Sequence, residues 1–161
     1  MIIHPRYTAK QTGDLAARFK LISDLGYLPH TPFPKQQAFL LNESRELLFG
    51  GAMGGGKSDA LLMDAVLWVD NPAWHSIIIR RIGKDLKGSD GLIERSRDWF
   101  GNRTRWNGTE MKHRFPSGAT LSFGHCETVE DRMRYTIIPG SWPVLSANRS
   151  TGAPKASSMH M

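Results

Sequence analysis

The residues that decide the fold are ELLFGGAMGGGKSDALL, which occupy positions 46–62. Residues 46–49 form a short apolar run, residues 50–56 are rich in glycine, and residues 59–69 carry apolar side chains at helical spacing. Such spacing predicts an amphipathic helix, whereas a short apolar run before a glycine loop is typical of a buried strand. The stretch therefore predicts strand, loop and helix in that order, and an α/β fold.

The glycine loop matches a pattern that binds phosphate. Residues 51–58 (GAMGGGKS) fit G-x-x-x-x-G-K-[ST] at every position. Glycine permits positive φ and close approach, so that backbone amides turn towards phosphate oxygens. A lysine and a hydroxyl at the helix start then hold the β and γ phosphates and a magnesium ion. The motif predicts ATP and Mg²⁺ as cofactors, held by Gly51, Ala52, Met53, Gly54, Gly55, Gly56, Lys57 and Ser58, with Ser58 as the metal ligand.

The flanking sequence extends the α/β pattern. Residues 75–80 (HSIIIR) are a β-branched run typical of a buried parallel strand, which would complete a right-handed βαβ unit. Residues 116–118 (PSG) separate two strand-like runs and predict a β-hairpin near 111–123. Further helices are expected over residues 8–26, 35–41 and 92–100, the last capped by Ser89 or Asp90.

Composition narrows the class of partner. The chain has 161 residues, a net charge of +6 and a sequence pI of about 9.8, which favours a polyanion such as nucleic acid. Its single cysteine, Cys126, cannot form an internal disulfide, and its Cys and His residues lack metal-ligand spacing. Since no apolar run approaches the roughly 20 residues that cross a bilayer, no membrane partner is expected.

Several stretches together resemble one family, the large terminase subunit of tailed bacteriophages. They include residues 34–40 (PKQQAFL), 48–62, 77–81 (IIIRR) and 115–121 (FPSGATL), and the resemblance covers about residues 30–135. It implies a P-loop NTPase of the RecA-like kind, a parallel sheet flanked by helices, that packages viral DNA into procapsids by binding and hydrolysing ATP.

The resemblance also implies roles for single residues. Gln36 would contact adenine, and Arg80 or Arg81 would sense phosphate charge, so Lys57 and Arg81 are the expected catalytic residues. The implied partners are double-stranded viral DNA, the small terminase subunit and the portal protein, within a homo-oligomeric ring. The implied location is the host cytoplasm, with a transient stay at the procapsid portal. Candidate DNA contacts are Lys84, Lys87, Arg103 and Arg105.

The chain departs from the family in two places. Met53 stands where many terminases have an arginine, and no Asp or Glu follows Asp131 although the family has an apolar strand ending in Asp-Glu. We therefore expect residues 1–29 to be an N-terminal helical segment, residues 30–135 a partial ATPase domain with little turnover, and residues 136–161 a disordered or foreign tail. The family's nuclease domain is absent from this sequence. Two alternatives stay open: another P-loop ATPase that translocates DNA, and an inactive nucleotide-binding fragment.

Overall fold

A computed structural model describes residues 2–3, 15–42, 46–50, 54–128, 131, 135 and 144–147. The helices are α1 (Leu15–Asp24), α2 (Pro34–Leu40), α3 (Lys57–Val66), α4 (Lys84–Lys87) and α5 (Leu92–Phe100), followed by a 3-10 turn (Gly101–Arg103). The strands are β1 (Ile2–Ile3), β2 (Glu46–Leu47), β3 (His75–Arg80), β4 (Arg105–Asn107), β5 (Lys112–Arg114), β6 (Thr120–His125) and β7 (Val144–Ala147). The predicted α/β class is confirmed.

The strands form one mixed sheet in the order β2-β1-β7-β3-β6-β5-β4. β3 is parallel to β6 and β7, whereas β5 is antiparallel to β4 and β6, and β1 is antiparallel to β2 and β7. The hairpin predicted near 111–123 is confirmed as β5 and β6, with Gly118 at φ +101° in its turn. The predicted parallel pairing is found between β3 and its neighbours β6 and β7, but the sheet as a whole is mixed, because a tight hairpin can join only antiparallel strands.

The two faces of the sheet differ in what covers them. Across the strands, Trp106, His113, Leu121 and Ser76 share one row and face the helices. On that side the Ala65 carbonyl of α3 accepts a hydrogen bond from Ser76 Oγ, at 3.0 Å, while Ser96 of α5 bonds His113. The neighbouring row faces the other way and consists of Arg105, Arg114, Thr120 and His75.

An aromatic cluster joins the N-terminal helix to the rest of the core. The fully buried Phe100 ring lies edge-on to Tyr27, with ring centroids 6.0 Å apart, and 5.6 Å from the centroid of Phe115. Tyr27 also packs edge-on against Phe115, at 5.1 Å. Ile22, Tyr27 and Leu28, which belong to the predicted N-terminal helical segment, contribute directly to this core.

Glycines end α1 and begin α5. Gly26, at φ +76°, lets the amide of Tyr27 donate to the carbonyl of Ile22, which closes α1. The cap predicted for α5 is wrong, because the N-cap is Gly91 and makes no side-chain hydrogen bond. A Cβ at Gly91 would lie 2.3 Å from the carbonyl oxygen of Leu86, so this close approach of backbone requires glycine.

The C-terminal residues contain one described strand. β7 lies between β1 and β3 in the sheet, although the composition of residues 136–161 predicted no packed structure. Val144 and Leu145 are apolar, and an apolar run of this length is sufficient for a short strand in the centre of a sheet. The rest of that tail lies outside the described residues. Among the described helices, none is both long and apolar enough to cross a bilayer.

Candidate nucleotide site

The glycine loop leaves the sheet at the carboxyl ends of its parallel strands. Leu47 pairs with Ile2, Ile2 pairs with Leu145, and Leu145 pairs with Ile78 of β3. Leu47 and Ile78 therefore lie in the same row across the sheet. Two antiparallel pairings separate β2 from β7, so β2 runs in the same direction as β7 and β3. The chain after Leu47 therefore enters the loop at the edge where β3 ends, the usual ligand edge of an open α/β sheet.

α3 then runs back across the sheet. Its Ala65 carbonyl accepts hydrogen bonds from the Trp74 indole at 2.8 Å and from Ser76 near the start of β3. Lys57 lies eight residues before Ala65, about 12 Å along the helix axis. This distance places the first turn of α3 back at the carboxyl edge, together with the end of the loop.

The described part of the loop contains two glycines in the left-handed region. Gly54 and Gly56 adopt φ angles of +80° and +69°, which side chains disfavour. Gly56 is the N-cap of α3 and provides no side-chain hydrogen bond to the amides of the first turn. These amides form the positive end of the helix dipole, which favours an anion. Lys57 and Ser58 are half-buried there. The predicted ligands Gly51, Ala52 and Met53 lie outside the described residues.

Gln36 lies against this loop. Its side chain is 1% exposed, and its Nε2 donates to the carbonyl oxygen of Gly56 at 2.9 Å. Its Oε1 accepts from the backbone amide of Phe33 at 2.8 Å. The residue predicted to contact adenine is thus within the site, but its amide is hydrogen-bonded to the protein's own backbone.

Asp59 anchors the first turn of α3 to two other elements. Its carboxylate forms an ion pair with Arg95 of α5 and lies 3.5 Å from His30 Nε2. A carboxylate in a helix's first turn is also favoured by the dipole. Arg95 lies 36 residues away in the sequence, and its pairing with Asp59 depends on the packing of α5 on α3.

The two arginines at the end of β3 face different surroundings. Arg80 is 9% exposed on the helix side of the sheet, and its carbonyl accepts from the amide of Cys126 at 2.9 Å. Arg81 follows the strand and is exposed. Both residues are at the carboxyl edge, so the structure brings the predicted phosphate sensors to the edge where the loop lies.

Carboxylates near the loop are few among the described residues, and none of them forms a group of three or more metal-ligand side chains. Asp64 of α3 is buried, and desolvation raises the pKa of its carboxyl to about 8. The parallel strand β7 ends level with Arg80 at Ala147, so it brings no acid to the edge. Ser58 is thus the one predicted magnesium ligand that the described loop supplies.

A shallow apolar cavity adjoins the strand that leads into the loop. Its volume is about 260 Å³, and its lining comprises Lys35, Ala38, Phe39, Leu47, Leu48 and Phe49. The rings of Phe39 and Phe49 lie 4.8 Å apart between centroids. Such a surface offers contact to a flat group, with Lys35 as its charged side chain.

A second cavity is strongly basic. It measures about 540 Å³ at the edge of the sheet and is lined by Asn102, Arg103, Thr104, Arg105, Arg114, Phe115 and Pro116. Arg105 and Arg114 are directly opposite each other in the register of β4 and β5. Like charges so placed repel unless an anion lies between them. Within the described residues, neither has a carboxylate at ion-pair distance.

The cavity includes only part of the predicted DNA surface. Arg103 and Arg105 line it, while Lys84 and Lys87 lie on α4 and are exposed outside it. Arg114 also lines the cavity and was not among the DNA contacts predicted from the sequence. The hairpin prediction contained the necessary signal, because alternation in KHR turns Lys112 and Arg114 to the face opposite His113.

No family model, curated protein or solved structure matches this chain.

Proposed function

We propose that the chain binds MgATP in the loop of residues 51–58, as the ATP-binding part of a terminase-type motor that packages viral DNA. The observation that carries the proposal is the complete G-x-x-x-x-G-K-S motif, with Gly54 and Gly56 in the left-handed region, at the carboxyl edge of the sheet. Backbone amides hold the phosphates, Lys57 neutralises them, and Ser58 gives the ion one hydroxyl. Phosphate oxygens and water supply its other ligands. The RecA-like identity, portal and small-subunit partners and ring assembly rest on the sequence resemblance.

Lys57→Ala tests the loop directly. Hydrogen bonds to charged groups contribute about 1.5 to 3 kcal/mol, so MgATP affinity should fall by about 10- to 150-fold. Isothermal titration calorimetry measures the loss. Lys20→Ala is the matched control because the Lys20 side chain is 76% exposed on α1, and its affinity should equal the wild type's. Absence of binding by the wild-type chain, or equal binding by Lys57→Ala, contradicts the proposal.

A second candidate is nucleotide binding without turnover. Asp59 is paired with Arg95, Asp64 is buried with a raised pKa, and β7 brings no carboxylate to the edge. A carboxylate that orients water contributes about 10² to 10⁴ in rate. We expect phosphate release from ATP to equal that of the Lys57→Ala variant, and measurable turnover that the variant loses would favour an active ATPase instead.

The basic cavity supports double-stranded DNA as partner. Arg103, Arg105 and Arg114 would neutralise backbone phosphates without reading sequence. We expect the Arg105→Ala/Arg114→Ala variant to bind a duplex oligonucleotide more weakly, with a salt slope smaller by about 1 to 2. Fluorescence anisotropy at several salt concentrations measures the slope. Lys84→Ala/Lys87→Ala removes the same charge outside the cavity, and an equal change in that variant would disprove a specific role for the cavity.

A further inference from the structure

We infer that Gln36 is a positioning residue that fixes the shape of the phosphate loop and does not select the base. The inference rests on the proposed MgATP site. It differs from the adenine-contacting role that the sequence resemblance implies for this glutamine. Three features of the structure carry it: the burial of the side chain, the two partners of its amide, and the close approach of Gly56.

The first step concerns hydrogen-bonding capacity. A glutamine amide has two donors and an acceptor oxygen with two lone pairs. In Gln36 one donor is used by Gly56 and the oxygen accepts from Phe33, while the residue is only 1% exposed. One donor and one lone pair are left over, but at this burial an adenine could reach them only if the side chain moved out of its position, which would break the bonds to Gly56 and Phe33. The cost of leaving Gly56 O and Phe33 N without this partner opposes such a movement.

The second step concerns the direction of the loop's backbone. Gly56 O accepts from Gln36 Nε2 at 2.9 Å and from the amide of Ala60 at 3.0 Å. Gly56 C=O and Lys57 N–H belong to one planar trans peptide, so they point in opposite directions. With the carbonyl held towards α3 and Gln36, the Lys57 amide points out of the helix N-terminus. That is the direction from which a phosphate is bound.

The third step explains why the contact needs glycine. A Cβ on Gly56 would lie 2.7 Å from Gln36 Nε2, and the φ of +69° would be strained for a side chain. The last glycine before Lys57 is therefore required by the glutamine contact as well as by the turn. At the other end of the amide, the bond from Phe33 N fixes Gln36 to the start of α2. The contact thus joins α2 to the loop.

Base selectivity separates the two roles. Gln36→Met keeps the buried volume but removes both hydrogen bonds, and we expect it to weaken MgATP, MgGTP and magnesium tripolyphosphate by one common factor of about 3 to 10. Gln37→Ala is the control, since the neighbouring Gln37 is exposed and the one described hydrogen bond of its side chain goes to Pro32 O. A loss confined to MgATP, or no loss with any of the three, overturns the inference.

Hydrogen–deuterium exchange tests the same contact without nucleotide. In the nucleotide-free chain, the peptide that spans Gly54 to Ala60 should exchange faster in Gln36→Met than in the wild type and in Gln37→Ala. Unchanged exchange overturns the inference even if nucleotide binds. If the wild type binds none of the three ligands, the proposed function fails, and the exchange measurement still decides whether Gln36 holds the loop. Gln36→Leu, which is also uncharged and makes no side-chain hydrogen bond, should behave as Gln36→Met and serves if the Met variant does not fold.

Discussion

Replacing Phe100 with alanine should lower the free energy of unfolding by about 3 to 5 kcal/mol. The Phe100 side chain is fully buried at the end of α5, where Tyr27, His113 and Phe115 surround its ring. These neighbours come from two separate parts of the chain, one just after α1 and one at β5, so they cannot collapse into the cavity without moving the sheet or α1. The free-energy cost of the lost ring contacts and the cost of the remaining cavity therefore add. Urea unfolding followed by tryptophan fluorescence measures the change.

Phe33→Ala is the control for Phe100. It deletes the same atoms from a side chain that is 61% exposed, so we expect a change within about 0.5 kcal/mol. If both variants lose equal stability, Phe100 does not have the buried position described here. If Phe100→Ala loses less than about 1 kcal/mol, the aromatic cluster is not the element that joins α1 to the sheet.

Local patterns predicted most of the elements that surround the site. The β-branched run of residues 75–80 became β3 with the same bounds, and Pro116 to Gly118 became the turn of the hairpin. In both cases the cause is local: side-chain branching favours extended backbone, and glycine permits the turn. The glycine motif similarly predicted where α3 begins, to within two residues.

Long-range contacts decided what the sequence could not predict. Neither the sheet order nor the pairing of Asp59 with Arg95 follows from spacing, because both depend on how distant segments pack. Glycine is required at the N-cap position 91 because a Cβ there would lie too close to the carbonyl of Leu86. Sequence rules for helix caps take no account of such a contact. Likewise, the family resemblance implied a role for Gln36 but not its partner, since Gly56 lies 20 residues further along the chain.

Stability should depend on pH through two buried groups with opposite effects. His113 is 1% exposed, and desolvation, together with the nearby charge of Arg97, lowers its pKa to about 4. Its Nε2 lies 2.9 Å from Ser96 Oγ, whose own proton goes to the carbonyl of Ile93, and its Nδ1 lies 2.9 Å from Thr104 Oγ1. Ser96 therefore accepts and Thr104 donates, which holds a neutral ring. Its stabilisation is present near neutral pH and falls as the pH drops from 6.5 towards 4.

Asp64 has the reverse dependence. Desolvation raises its pKa from 3.8 to about 8, so the folded chain takes up a proton that the unfolded chain lacks over this interval. Its contribution is full below the unfolded pKa and is lost as the pH rises through the folded pKa. Between about pH 4 and 6.5 the two slopes oppose each other, and above this range the slope from Asp64 remains.

Asp64→Asn should separate the two slopes. The amide cannot ionise, so the variant should gain stability over the wild type by about 1.4 kcal/mol per pH unit, or about 3 kcal/mol from about pH 5 to about pH 7. Urea unfolding at each pH gives this difference, which does not depend on the intrinsic cost of the substitution. Gln37→Ala changes no titratable group, so its difference from the wild type should stay nearly constant with pH. A constant difference for Asp64→Asn as well would mean that Asp64 is ionised in the folded chain, which its complete burial in α3 argues against because burial disfavours the charged form of a carboxyl.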